Sequence, residues 1–421
     1  MIRILVLILF FIPSAFCKGQ ITLDECRMAA QMNYPLIRQY NLIQLAEQYT
    51  LTNAGKGNLP QISLNGKFSY QSDATTFPFN IPGIGIKGLP KDQYQIMIEI
   101  QQNIWDGGKI HYQKEQARAT SQENEHQLDV SMYALNQQVN QIFFGILLLD
   151  EQLNQNTLLE SDLLRNLKTI EAYRSNGIAN DADVDAVKVE ILNTKQQQAQ
   201  LSANREAYLR MLALLTGKQL STKATLVRPH IPDETEALVI NRPELKLYMA
   251  QEQTIKTMQR SLQANYMPRL GIFAQGAYGN PGLDMLKDKF TTYYVVGARL
   301  TWNFGSLYTL KNNKRKLETQ RKQIQNNRDL FLLNTQLQLA EQDGNISTLR
   351  KQMEKDDEII RLRTNIRKSA EAKVANGTLT VTEMLREVTA ESMARQTKAL
   401  HEIQLLQNLY QKEHLINSQL H

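Results

Sequence analysis

Tyr94-Gln95-Ile96-Met97-Ile98-Glu99-Ile100-Gln101 reads with a period of two. Tyr94, Ile96, Ile98 and Ile100 fall on one side of an extended chain, and Gln95, Met97, Glu99 and Gln101 on the other. That is a strand with two unlike faces. Trp105-Asp106-Gly107-Gly108 closes it. Upstream, after Pro60, a second alternating run sets Ile62, Leu64, Gly66, Phe68 and Tyr70 against Ser63, Asn65, Lys67, Ser69 and Gln71. A loop from Ser72 to about Asp92, with Pro78, Pro82 and Pro90, joins the two.

The same arrangement returns later in the chain. Leu270, Ile272, Ala274, Gly276 and Tyr278 alternate after Pro268; Tyr294, Val296, Ala298, Leu300 and Trp302 alternate before Asn303-Phe304-Gly305. Asn33-Tyr34-Pro35 reappears as Asn241-Arg242-Pro243, and Asn176-Gly177 as Asn376-Gly377. A repeat of this length is far beyond a solenoid unit of about 20–50 residues, so half a molecule has been duplicated. The expected division is a leader (1–19), a first repeat (20–216), a connector (217–241) and a second repeat (242–421). The strands are expected at about 61–71, 93–104, 269–279 and 292–303.

Long helices fill the rest. Thr22 with Glu25 has capping-box spacing and starts a helix running to about Asn53. From 109 to 175 there is no proline and one glycine, Gly145. Leu128, Met132, Leu135, Val139, Ile142, Ile146, Leu149 and Leu153 recur there in steps of four and three, a heptad seam. At ~1.5 Å per residue this helix is on the order of 100 Å long. A second spans about 307–375, with a shorter seam at Leu330, Leu333, Leu337 and Ala340. Each stops at an Asn-Gly pair, after which a helix returns over about 181–215 and 380–420.

Composition excludes several functions. The net charge of +6 sets 48 basic against 42 acidic residues, a balanced surface rather than a nucleic-acid footprint. The six histidines form no i, i+4 pair, and no phosphate loop or nucleophile elbow is present, so neither catalysis, cofactor nor metal is expected. Arg3, the apolar run Ile4–Ile12 and the small residues after Ser14 read as an export signal. Cys17 is a candidate lipid attachment point if it becomes the N-terminus, although the bulky Phe16 before it argues against this. Cys26 is expected as a small buried residue of the first helix.

Four alternating strands on an exported chain point to a membrane β-barrel, since about 10 residues suffice for a tilted crossing. Lipid tolerates no open sheet edge, and the smallest barrels need about 8 strands. One chain supplies four, so it must assemble, as a dimer of 8 or a trimer of 12. The helices are too polar for lipid and too long for a globule. They are expected to continue into the periplasm as a hollow tube, with Gln138, Asn140, Gln141, Gln196, Gln197 and Gln198 on a wet face.

In these features the chain resembles the TolC-type outer-membrane efflux ducts. The resemblance rests on the doubled Asn-x-Pro, the proline before each first strand, Ile104-Trp105-Asp106-Gly107-Gly108, and Tyr173-Arg174-Ser175-Asn176-Gly177-Ile178-Ala179 followed by Asp183-Val184. It implies a homotrimeric 12-stranded barrel continued by a helical tunnel. Such a duct is passive, closed at its periplasmic tip, and docks a periplasmic adaptor and an inner-membrane pump of RND or ABC type. It further implies that acids just after a tip turn constrict the pore. Those acids are Glu383 and Asp183 here, while the family's second gate acid falls on Arg386. Like charges gathered about a three-fold axis would raise carboxylate pKa values. Each acid also suits a helix N-terminus for ordinary reasons. Asn176, Gly177, Asn376 and Gly377 are the candidate adaptor contacts. Trp105, Phe304, Tyr94, Tyr293 and Tyr294 are candidate membrane-interface aromatics. The competing expectation is a periplasmic coiled-coil protein that forms no channel.

Overall fold

A computed structural model describes residues 21–73, 90–232, 239–285 and 287–417. The leader, Cys17, most of the loop after β1 and part of the connector lie outside the described residues. In chain order the elements are α1 (Leu23–Asn33), α2 (Ile37–Lys56), β1 (Gln61–Tyr70), β2 (Asp92–Trp105), α3 (Lys109–Ser175), α4 (Asp181–Thr216), α5 (Pro243–Ala264), β3 (Arg269–Asn280), β4 (Thr291–Thr301), α6 (Leu307–Ala375) and α7 (Val381–Ile416). A short 3-10 turn, Phe304–Ser306, leads into α6.

The first helix is two, not one. Pro35 cannot donate a backbone hydrogen bond, and it forces Tyr34 out of the helical region to φ −65°, ψ 129°. The interruption frees Asn33 for another task. Its side-chain amide donates 3.1 Å hydrogen bonds to the carbonyls of Leu214 and Leu215, ending α4. Gly217 closes that end at φ 66°, where any Cβ would meet Asn33 Oδ1 at 2.5 Å. The second copy does the same with different atoms. Asn241 N–H donates to Ile416 C=O at 2.9 Å, and the left-handed Asn417 donates from its side chain to Asn241 C=O at 2.7 Å. The repeated asparagine therefore stops the returning helix of its own copy.

The described residues form two compact units that do not follow the repeats. One holds the described residues within 21–37, 131–242 and 333–417. Its central core joins Leu23, Cys26 and Ala30 of α1 to Leu135, Val139, Phe143 and Ile146 of α3, Leu209 and Leu212 of α4, and Ile403 and Leu406 of α7. Cys26 is 2% exposed there, and burial pushes its thiol up to about 11. Asn140, expected to be wet, is instead buried and accepts a 2.8 Å bond from Arg27 Nε.

The other unit holds Arg38–Val130 and Pro243–Leu332, and with them the sheet. The four strands form one antiparallel meander, β1-β2-β3-β4. Its register gathers Leu64, Ile98, Gly276 and Tyr294 across one face, and Ile62, Ile100, Ala274 and Val296 beside them. The opposite face aligns Ser63, Glu99 and Gln275, and Asn65, Met97, Ala277 and Tyr293. In the single chain the apolar face is the exposed one: Ile98 is 51% and Val296 67% exposed, while Gln95 and Glu99 are partly covered. Tyr293 belongs to the polar face, where it accepts a bond from Gln95 Nε2.

Candidate functional site

Both long helices end identically. Gly177 N–H donates to Arg174 C=O at 3.0 Å and Ile178 N–H to Tyr173 C=O at 2.9 Å. Gly377 N–H donates to Val374 C=O and Thr378 N–H to Lys373 C=O, both at 2.9 Å. This is the Schellman closure, and it needs a left-handed residue. Gly177 (φ 74°) and Gly377 (φ 66°) supply it. Asn176 and Asn376 each donate to the carbonyl four residues back, Ala172 and Ala372, at 2.9 Å. No atom lies within 4 Å of where a Cβ would stand on either glycine, so both turns are open surface in the single chain.

The returning helices start on capping boxes. Asp183 N–H donates to Asn180 Oδ1 and Asn180 N–H to Asp183 Oδ2, both at 3.0 Å. Glu383 N–H donates to Thr380 Oγ1 at 3.2 Å, and Glu383 Oε2 accepts from Thr380 N–H at 3.1 Å and from its hydroxyl at 2.8 Å. The Thr380 bonds, with the Arg386 charge nearby, hold the Glu383 carboxyl below its ordinary range. Within one chain that direction is opposite to the one expected for a ring of like charges, because the hydrogen-bond donors are local. Arg386 is exposed and has no ion pair among the described residues. Ala186, its counterpart in the first copy, instead packs against the apolar tip core.

That core holds the two hairpins together at the turns. Leu163 and Ile170 of α3, Val184, Val187 and Ile191 of α4, Ala370 and Val374 of α6, and Val381, Met384, Leu385 and Val388 of α7 form one buried cluster. Glu383 and Asp183 are therefore set on a packed platform rather than on free loops.

Several polar contacts here were not anticipated. Arg174 Nη1 reaches Asp181 Oδ1 at 3.0 Å across the first turn. Deeper between α6 and α7, Glu391 accepts from Thr364, Arg367 and Arg395 while only 5% exposed. Arg363 pairs with Glu387 at 3.3 Å, and the buried Asp356 meets His401 Nδ1 at 2.8 Å. Apart from Glu391–Arg395, which lies within α7, each pair stands nearly equidistant in sequence from Gly377. Asp150–Arg205 and Glu160–Lys195 stand likewise about Gly177. Folding the sequence back at each glycine would have found them.

Of the expected interface aromatics, Tyr94 and Trp105 lie towards the two ends of β2, Phe304 follows β4, and Tyr294 falls level with Ile98 in mid-sheet. Tyr94 packs at 5.0 Å from Phe68 and 6.0 Å from Phe290, and Phe290 stacks on Tyr278 at 5.4 Å. At the helix end, Trp302 packs on Phe304 at 4.6 Å and donates from its indole to Tyr266 C=O. Trp105 and Phe304 are about half exposed, and Tyr294 is 77% exposed. Among the described residues no helix is long and apolar enough to cross a membrane, and no group of His, Cys, Asp and Glu could hold a metal ion.

Residues 28–218 match the family model described as "Outer membrane efflux protein". No curated protein sequence matches the chain. Solved structures share its fold over 94% of its length. The outer membrane protein VceC of Vibrio cholerae has a TM-score of 0.67 at 13% identity, with 95% of that chain covered. CusC has 0.70 at 14% identity, with 91% covered. The open-state MtrE outer membrane channel of Neisseria gonorrhoeae has 0.65 at 12% identity, with 88% covered. The likeness to these solved structures is one of fold.

Proposed function

We propose that this chain, a TolC-type outer membrane efflux protein by its fold and by its family pattern over residues 28–218, assembles as a homotrimer. In this reading twelve strands close a barrel, the helices extend it into the periplasm, and the duct opens at the Gly177 and Gly377 turns. An adaptor and an inner-membrane pump engage those turns.

One observation carries the reading: the sheet is inverted. Its apolar face is the open one, from Ile62 and Leu64 to Val296 and Leu300, while the polar face is partly covered along β2 and β3. Water would reward the reverse arrangement and lipid rewards this one. The dimensions agree. Tyr94 and Trp105 mark the two aromatic ends of β2, and eleven steps of ~3.3 Å make about 36 Å along the strand. Tilted by about 40°, that becomes about 28 Å, close to the apolar band of ~25 Å in such barrels. The unpaired outer edges of β1 and β4 add a requirement. Lipid forbids open edges, so β4 must pair with β1 of the next copy.

The tip supports gating by its chemistry. Glu383 is kept ionised by Thr380, and Arg386 stands unpaired one turn further. Around a three-fold axis these give alternating acids and bases, which can pair between neighbours when the tip is closed. Asp183, fixed in its own capping box, contributes a second acidic level.

Membrane fractionation tests the reading. A channel appears in outer-membrane fractions as a trimer that resists dissolution in detergent until heated. The competing coiled-coil protein would stay soluble or follow the inner membrane.

A further inference from the structure

The polar face of the sheet is not neutral. Register and parity place Lys67, Arg269 and Arg299 on it, and Glu99 is the one acid among the described residues of that face. Arg299 Nη2 lies 3.6 Å from Glu99 Oε1, an ion pair without a hydrogen bond, and its guanidinium stacks on the Phe273 ring at 4.8 Å. It is held in place by both, and its charge is shared with Glu99. Arg269 has no carboxylate partner among the described residues.

At the helix end of this face is a cavity of about 380 Å³, lined by Arg269 and Arg299, by Lys109 of α3, by the amides of Gln101 and Asn103, and by Asp106. Arg269 pairs with Thr301 and Arg299 with Gly271, so the two arginines are diagonal neighbours across β3 and β4. Such neighbours are about 7–8 Å apart. Gly271 lies between them, packed close against β2, where a Cβ would meet Gln102 C=O at 3.1 Å.

The acid in the cavity is already used. Asp106 Oδ1 accepts from Gly108 N–H at 2.9 Å and Oδ2 from Ile110 N–H at 2.8 Å, capping α3. Lys109 is the first residue of α3, whose first turn has no acidic side chain. A cation there opposes the helix dipole, which favours anions at that end. Lys109 and two arginines thus line one cavity against a single carboxylate in its lining, Asp106, which itself caps α3.

We propose that this cavity is a binding station for anionic groups, carboxylate or phosphate, on the interior wall of the duct where sheet meets helix. The proposal rests on the channel reading for its place in the lumen, though not for its chemistry. Trimer symmetry would set three stations around one level. Cargo bearing two or three carboxylates would pause there after passing the acidic tip. Two arginines and a lysine from three elements suit a multivalent anion better than a single chloride.

Citrate is the probe. Calorimetric titration of the detergent-solubilised full chain should show citrate binding that weakens at least tenfold in Arg269→Gln combined with Lys109→Gln, and that Arg269→Lys largely restores. Arg315→Gln, on α6 outside the cavity, should leave it unchanged. In planar bilayers citrate should block the native channel at concentrations where the double variant still conducts. Absence of citrate binding by the native protein, or equal binding by the double variant, would overturn the station. Citrate binding by a protein that never conducts would uphold the station and overturn the channel.

Discussion

Glu391 of α7 is a buried carboxylate held by Arg367 of α6, 24 residues earlier in the chain, with Arg395 and Thr364 completing its shell. Burial alone would raise its pKa, but the hydrogen bonds from Arg395, Thr364 and Arg367 outweigh it, and the carboxyl sits below 4.5. Removing it strands Arg367, whose side chain is 19% exposed. Glu391→Ala should therefore destabilise the α6–α7 hairpin by about 3 kcal/mol, the low end for a broken buried pair because Arg367 keeps Glu371. Thermal melting by circular dichroism reads this. The sign with pH is fixed by the lowered pKa. The stabilisation is fully present above the unfolded value near 4.5 and is lost as pH falls through the folded value.

His414 gives a different pH window in the same unit. Its ring stacks on Tyr133 at 4.3 Å, and burial, then Arg242 and Arg27, push it down from 6.5 to about 4. The fold thus favours the neutral ring, whereas the unfolded chain takes up a proton near 6.5. Stability is intact above 6.5 and declines as pH falls to about 4, by about 3 kcal/mol at 1.36 kcal/mol per unit. His414→Phe keeps the stack and should flatten the melting temperature across that window. An unchanged slope would remove His414 as its cause.

Glu383 has two roles that one substitution pair separates. Glu383→Gln keeps an acceptor for Thr380 but removes the charge; Glu383→Ala removes both. If the charge constricts the tip, both variants raise single-channel conductance. If only the capping box matters, Ala alters conductance and Gln leaves it at the native level.

The two faces of the sheet should answer a charge differently. Ile98→Lys puts a cation into the lipid-facing stripe and should cost about 2–4 kcal/mol, enough to lower the yield of folded trimer. Gln95→Lys, on the other face, should assemble normally. Equal tolerance at both sites would contradict the inverted sheet.

The sequence carried the long helices and the strands well, because each is a repeated local signal. Period two at Ile96, Ile98 and Ile100 and the unbroken run before Ser175 leave few alternatives. It misread the first helix, since only the structure shows Pro35 cutting it so that Asn33 can cap α4. It placed Asn140 in water because Arg27, 113 residues away, is invisible to a periodicity. The tip acids were picked out as charges suited to a helix N-terminus; the capping boxes they close with Asn180 and Thr380 appear only in the structure, and the first cap is Asn180 rather than Asp181. The network around Glu391 was missed for a simpler reason. Its α6 members, Thr364 and Arg367, reach Glu391 only after the chain is folded back at Gly377.

The central claim is that this chain forms a conducting duct through the outer membrane. Single-channel recording of the purified, detergent-extracted protein in planar bilayers tests it most directly. Discrete, long-lived conductance steps are expected from the trimer, with longer or larger openings after Glu383→Ala with Arg386→Ala. A protein that inserts, runs as a folded trimer and conducts in neither form would contradict it.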